Sequence, residues 1–135
     1  MKKLWNSFKI AFAMYSKIPM PQSEWTEENM SYAMCFFPWV GAVTGGISYL
    51  VVLFADLLKE REISFGSLFF PAVLTVLPVL ISGGIHMDGF LDTQDALSSW
   101  QERERRLEIL KDSHAGAFAV ITACAFFLIW YGAYS

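Results

Sequence analysis

The chain has 135 residues, of which 55% are hydrophobic and only 17% are charged, and its mean hydropathy is +0.40. A water-soluble domain of this size normally carries more charge on its surface, so the composition predicts an all-α integral membrane protein. The net charge of −3 and the lack of a basic stripe argue against a nucleic-acid partner.

Residues 1–20 are predicted to form an amphipathic helix that lies in the membrane interface. Apolar and aromatic side chains recur there at helical spacing, opposite three lysines. The apolar and aromatic residues are Leu4, Trp5, Phe8, Ala11 and Tyr15. An ordinary helix that packs on its neighbours explains the same pattern. Pro19 and Pro21 then end the helix.

Three later segments contain no Asp, Glu, Lys, Arg or His, namely residues 31–55, 63–85 and 115–135. A helix rises about 1.5 Å per residue, so each segment is long enough to cross a hydrocarbon core of about 30 Å. We therefore predict one polytopic membrane domain over residues 1–135. Its spans cover residues 31–58, 63–85 and 115–135, and a polar segment of residues 86–114 separates the second span from the third.

The distribution of lysine and arginine predicts the orientation in the membrane. Four basic residues lie before the first span, four lie in residues 86–114, and two lie in the short connection between the first two spans. Two spans separate the first two regions, so both lie on the same side, and the positive-inside rule makes that side cytoplasmic. Residues 86–114 are thus predicted to face the cytoplasm.

Three aspartates follow the second span, and they are candidate metal ligands. Asp88, Asp92 and Asp95 stand at positions i, i+4 and i+7, which fall on one face of a helix. Stacked carboxylates repel one another unless a cation lies among them. Oxygen ligands without cysteine suit Mg²⁺ or Mn²⁺. Mg²⁺ typically keeps places for water and substrate phosphate, so the pattern predicts a diphosphate ligand. A solvated acidic helix face is the alternative.

Two further residues of the polar segment are candidates for proton transfer. His86 lies just before the aspartates, and Asp112 lies just before the third span, so Asp112 would return to the same side of the membrane. The alternative for His86 is a hydrogen-bonded interfacial residue, and the alternative for Asp112 is a charged residue that terminates the preceding helix. This preceding helix is predicted over residues 101–111, with Ser99 opening a capping box.

Two other classes of membrane protein share some of these features. The CDP-alcohol phosphotransferases carry Asp-Gly-x-x-Ala-Arg, and this chain matches at Asp88-Gly89 but has Asp92-Thr93 in place of Ala-Arg. A transporter or channel would use the acids as a cation-entry ring, whereas here they form one cluster at the membrane edge, outside the three uncharged runs. A purely structural membrane subunit is a third alternative.

Three sequence runs together resemble a different family of membrane enzymes. They are GGIHMDGFLDTQD at 83–95, RRLEILKDS at 105–113 and YSKIPMP at 15–21. These runs are similar to those of cobalamin synthase, the adenosylcobinamide-GDP ribazoletransferase, and they occur in the order typical of that family. The chain differs from the usual family pattern at Met87, Ala96 and His114. Family members also continue through further spans, so the chain is expected to be an N-terminal portion.

The resemblance implies a Mg²⁺-dependent enzyme of the bacterial or archaeal cytoplasmic membrane that acts in cobalamin biosynthesis. Its expected substrates are adenosylcobinamide-GDP and α-ribazole or α-ribazole 5′-phosphate, with GMP released. A homo-oligomer is compatible with this expectation. In this scheme the three aspartates bind the metal ion and His86 or Asp112 transfers the proton. The residues expected to contact the substrate are Gly89, Arg106, Lys111 and Ser113. Arg105 is a further candidate for phosphate contact, although a solvated helix face explains it better.

Overall fold

The computed structural model describes residues 2–63, 65–112 and 114–135. These residues form helices and no strand, so the prediction of an all-α fold is confirmed. The helices are α1 (Lys2–Tyr15), α2 (Glu27–Met30), α3 (Phe37–Glu60), α4 (Phe69–Ser82), α5 (Ile85–Ser98), α6 (Arg103–Ile109) and α7 (Ala117–Tyr134), with a 3-10 turn at Ala33–Phe36. The chain divides after Gly83 into two compact units.

In the first unit, α1 packs against α2, the 3-10 turn and α3. Ile10 and Ala11 of α1 are fully buried, and they pack with Ala33 of the 3-10 turn. Trp5 on the same helix remains 59% exposed. Residues 1–20 were predicted as one interfacial helix, but the helix ends at Tyr15, and one face of it forms the core of this unit.

A buried polar contact holds the connection between α1 and α2. The Ser7 hydroxyl donates to the Asn29 carbonyl oxygen at 2.6 Å, and the Asn29 amide nitrogen Nδ2 donates to the Glu24 carbonyl oxygen at 2.9 Å. Thr26 caps α2 by accepting from the Asn29 N–H. Because buried polar groups are costly when unpaired, these bonds fix the path of the chain into the first long helix.

The described residues contain two helical stretches that are long and apolar enough to cross a membrane, Glu27–Glu60 and Ala117–Tyr134. Only 6% of the most apolar window in each stretch is buried inside the protein. Large apolar side chains that face outward over such lengths suit a hydrocarbon environment. Pro38 lies in the first turn of α3, where the missing N–H would have no partner in any case.

The second predicted span, residues 63–85, is shorter than expected. The helix there, α4, has only 14 residues, which at about 1.5 Å per residue spans about 21 Å. It reaches the length and composition of a membrane span only when it is counted together with α5. Pro78 lies inside α4 and has no backbone N–H, so one of the helix's backbone hydrogen bonds is missing there.

Two consecutive glycines end α4. Gly83 and Gly84 have φ values of 68° and 81°, in the left-handed region that residues with a β-carbon avoid. Lys17 reaches this helix end from the segment after α1, and its N–H donates to the Ile81 carbonyl oxygen at 2.7 Å. Its side chain also occupies the space where a β-carbon of Gly83 would lie, with Cγ only 2.6 Å away.

In the second unit, α5 packs against α7 and α6. Ala96 and Ala119 are almost fully buried, and the rings of Phe90 and Phe126 lie 5.9 Å apart. The small alanine side chains allow the two helices to approach closely.

The helix predicted over residues 101–111 is shorter and begins later. α6 spans Arg103–Ile109 and its N-cap is Glu102, without a side-chain capping bond. The predicted capping box at Ser99 is wrong, because the Ser99 hydroxyl donates to the Ala96 carbonyl oxygen at the end of α5.

Candidate active site

The three aspartates all lie on α5, as their spacing predicted. The structure gives them different environments along the helix. Asp88 in the first turn is exposed, Asp92 is half-buried, and Asp95 is only 8% exposed. Neighbours at i and i+4 have β-carbons about 5–6 Å apart, so Asp88 and Asp92 can act on one ligand.

Asp95 is hydrogen-bonded to the beginning of α7. One carboxylate oxygen accepts from the Gly116 N–H at 2.5 Å, and the other accepts from the Ala119 N–H at 2.8 Å. Both oxygens of Asp95 therefore have backbone partners. Among the residues described, no group of three or more Asp, Glu, His or Cys side chains is arranged to hold a metal ion. The structure does not bring the three predicted ligands together as one metal site.

His86 and Gly89 occupy the first turns of α5. His86 comes two residues before Asp88, so about 200° of helix rotation separates them, and His86 belongs to a different face from the aspartates. Gly89 has open space around its α-carbon, and its carbonyl oxygen accepts from the Thr93 hydroxyl at 2.7 Å. A backbone with open space beside Asp88 is compatible with the predicted substrate contact.

Asp112 interacts with His114 in the segment that leads into α7. The ring nitrogen Nδ1 of His114 lies 2.6 Å from Asp112 Oδ1, and the His114 N–H donates to the same oxygen at 3.0 Å. Hydrogen bonding from the His114 side chain and then from its backbone lowers the pKa of Asp112 below the ordinary value of 3.8. Asp112 is therefore ionised at neutral pH. The predicted contact at Ser113 lies outside the described residues.

Replacing His114 with Ala should raise the pKa of Asp112 towards its ordinary value, because the ring hydrogen bond that favours the carboxylate is lost. A group whose pKa is lowered by folding stabilises the folded state above its unfolded pKa, and this contribution disappears as the pH falls through the folded pKa. Titration of the Asp112 carboxyl carbon by NMR, in the wild type and in H114A, measures the shift. Identical Asp112 titration curves in the wild type and H114A would contradict the assignment.

The basic residues of α6 differ in their partners. Arg105 forms an ion pair with Glu108 at 2.5 Å, whereas the described residues provide no such ion pair for Arg103 or Arg106. Both of these arginines line a cleft of about 350 Å³ between α5 and α6. Its other lining residues are Thr93, Ala96, Leu97, Leu107 and Leu110. A guanidinium group that is free of carboxylates is available to bind an anion such as phosphate, which favours Arg106 over Arg105 for this role.

Lys111 is exposed just beyond α6. Its backbone N–H donates to the Glu108 carbonyl oxygen at 3.0 Å, which closes the turn after the helix. An exposed lysine at this position is free to approach an anionic ligand in solution, and no contact in the structure assigns it to the cleft.

The role of Gly116 was not predicted from the sequence. It is the N-cap of α7, and it has no side chain that could accept a hydrogen bond from the first turn. A glycine at the beginning of the uncharged run of residues 115–135 was the available signal. A helix that begins after a glycine N-cap needs a hydrogen-bond acceptor from elsewhere in the chain for its first N–H groups. The sequence does not say which of several nearby acids provides that acceptor.

Comparisons with known proteins agree with the resemblance. The profile of the cobalamin-5-phosphate synthase family matches residues 7–135. A Lachnoclostridium phytofermentans protein named adenosylcobinamide-GDP ribazoletransferase is 55% identical over 127 residues, which cover 94% of this chain and 47% of the relative. Proteins of the same name from Carboxydothermus hydrogenoformans and Clostridium botulinum are 38% and 35% identical, over 96% and 98% of this chain and 49% and 51% of the relatives.

The chain thus spans about half the length of the curated relatives that it matches. No solved structure shows significant similarity to it. The family profile covers nearly the whole chain, including α5 with its aspartates and α7. The chain therefore belongs to the cobalamin-5-phosphate synthase family.

Proposed function

We propose that this chain takes part in the Mg²⁺-dependent transfer that joins adenosylcobinamide-GDP to α-ribazole or α-ribazole 5′-phosphate and releases GMP. The observation that carries the proposal is the 55% identity, over 94% of the chain, to a relative named adenosylcobinamide-GDP ribazoletransferase. The family match also favours this function over a CDP-alcohol phosphotransferase or a channel.

The chemistry of α5 fits a divalent cation bound by two carboxylates. Asp88 and Asp92 provide hard oxygen ligands one helical turn apart, and Asp88 is open to solvent. Mg²⁺ usually takes only one or two protein carboxylates and completes its shell with water and substrate phosphate, so two aspartates suffice. A bound Mg²⁺ would supply stabilisation of the negative charge that develops on the leaving GMP.

The other residues of the site bind and orient the substrates. Arg106, at the cleft between α5 and α6, would hold an oxygen of a substrate phosphate through its guanidinium group. Lys111 would add positive charge near the same region. Gly89 would let the substrate approach the backbone beside Asp88.

Proton transfer from the attacking ribazole hydroxyl requires a base within hydrogen-bond reach. Asp112 is in the required ionised state, but its lowered pKa makes it a weak base. His86 is the other candidate, since an imidazole nitrogen can accept a proton, although it lies on another face of α5 from the aspartates. A variant at His114 probes the Asp112 candidate directly, because the His114 ring is hydrogen-bonded to Asp112.

The environment of the reaction follows from the long apolar helices and the charge distribution. We place the chain in the cytoplasmic membrane of a bacterium or archaeon, with the lipid bilayer around α3 and α7. Residues 86–114 face the cytoplasm in this proposal, because the basic residues before α3 and in α6 then share the cytoplasmic side. Soluble substrates would reach the aspartates from that side.

The test of the proposed function is the release of GMP from adenosylcobinamide-GDP by the purified chain in lipid vesicles. α-Ribazole and α-ribazole 5′-phosphate are supplied separately, with Mg²⁺ present or replaced by EDTA. We expect GMP and the joined corrinoid product in equal amounts, only when Mg²⁺ and a ribazole substrate are both present. GMP release that is the same with and without the ribazole substrate would overturn the proposal for this chain. So would the lack of GMP release under all of these conditions.

A further inference from the structure

The carboxylate of Asp95 acts at the beginning of another helix. Its two oxygens accept the Gly116 and Ala119 N–H groups at 2.5 and 2.8 Å, and these are among the donors that a helix leaves unpaired in its first turn. A negative charge is favourable there, because the helix dipole places partial positive charge at the N-terminus. Asp95 thus supplies from α5 the cap that Gly116 cannot supply to α7.

The approach of Asp95 depends on the absence of a side chain at Gly116. A β-carbon at this position would lie 2.7 Å from each carboxylate oxygen of Asp95, which is shorter than any ordinary contact. Gly116 has a φ of −83°, which every residue adopts, so its backbone conformation does not require glycine. The space taken by the Asp95 carboxylate is the reason for glycine at this position.

The same environment leaves little room for a metal ion at Asp95. The residue is 8% exposed, and each oxygen already accepts a hydrogen bond. Mg²⁺ requires near-octahedral geometry with ligands at about 2.0–2.1 Å and usually keeps several waters. The neighbouring Asp88 is exposed and meets these requirements more easily.

We propose that Asp95 is a positioning residue that fixes Gly116 and the first turn of α7 against α5, and that it is not a ligand of the divalent cation. Asp112 lies four residues before Gly116, so the bond from Gly116 to Asp95 limits how far Asp112 can lie from the helix that carries Asp88 and Asp92. The part of this proposal that concerns the divalent cation rests on the proposed function. The hydrogen bonds of the helix cap do not depend on it.

Amide hydrogen exchange of the wild-type chain in detergent micelles tests the cap. In D95A, the Gly116 and Ala119 amides should exchange at least about 10-fold faster, because both lose their acceptor. Asn keeps one side-chain oxygen, so D95N should retain protection at one of the two amides. Equal exchange rates in the wild type and D95A would overturn the proposal.

Gly116 supplies a second variant in case D95A does not fold. G116A retains the Asp95 carboxylate, but the added β-carbon pushes it away from α7, so the Ala119 amide should again exchange about 10-fold faster. In a chain that already carries D95N, G116A should have a smaller effect. Equal effects of G116A in both backgrounds would show that Asp95 does not cap α7.

Titration with Mn²⁺, followed by electron paramagnetic resonance, distinguishes the cap from a metal ligand. D95N should change the Mn²⁺ dissociation constant by less than about twofold and lower kcat of the transfer without changing the Mg²⁺ concentration for half-maximal rate. D88A should weaken Mn²⁺ binding by more than about tenfold. A loss of affinity in D95N as large as in D88A would overturn the proposal. If the wild type binds no Mn²⁺, the proposed metal site fails, and the exchange rates still decide the role of Asp95.

Discussion

Replacing Asp88 or Asp92 with Ala is expected to reduce Mg²⁺-dependent GMP release by about 10²- to 10³-fold. This magnitude is typical of removing one electrostatic contact to the charge that develops in a transition state. The two carboxylates are one helical turn apart on α5, and in the proposed site they share one cation, so the double variant should lose little more than either single variant. The measurement is the initial rate of GMP release in lipid vesicles at several Mg²⁺ concentrations.

Glu104→Ala is the matched control for these variants. Glu104 is an exposed acid in the first turn of α6, so its removal changes the net charge of the same segment by the same amount. We expect E104A to retain the wild-type rate within about twofold, because a surface charge outside the site affects the reaction only through screened electrostatics. Wild-type rates in both D88A and D92A would exclude a metal role for these aspartates.

Gly83→Ala is expected to lower the free energy of unfolding more than Gly84→Ala does. Both glycines have positive φ values, and forcing alanine into the left-handed region costs about 1–2 kcal/mol at either position. Only at Gly83 does the added β-carbon also collide with the side chain of Lys17, because the space beside Gly84 is open. The measurement is thermal or denaturant unfolding in detergent, followed by circular dichroism.

Lys17→Ala tests the steric part of this prediction. In the G83A background it removes the carbon atoms that the new β-carbon would meet, so it should recover part of the lost stability. In the wild type it should have little effect, since the backbone bond from the Lys17 N–H to Ile81 remains. Equal losses in G83A and G84A, with no recovery in the double variant, would contradict the contact between Lys17 and Gly83.

The length of a helix was predicted well where its residues were uniformly apolar. The third predicted span, residues 115–135, contains α7 (Ala117–Tyr134), and no proline interrupts the helix there. The second was predicted less well, since a lack of charge does not distinguish helix from loop. Residues 65–68, which include Gly66, precede the helix, and α4 begins only at Phe69.

The candidate site was also predicted only in part from the sequence. The spacing of Asp88, Asp92 and Asp95 determined that they share one helix, because helical periodicity is a local property. Their different environments were not predictable, since burial depends on which helix packs beside α5. The packing of α7 buries Asp95 and leaves Asp88 exposed.

The amino-acid sequence alone determined the membrane character, the all-α fold and the family of this protein, because these depend on composition, on uncharged runs and on short motifs that are read along the chain. Only the tertiary structure decided that Asp95 bonds to Gly116, which lies 21 positions later. A contact over that separation is fixed by how α5 and α7 pack, and no local pattern encodes which acid meets which helix end.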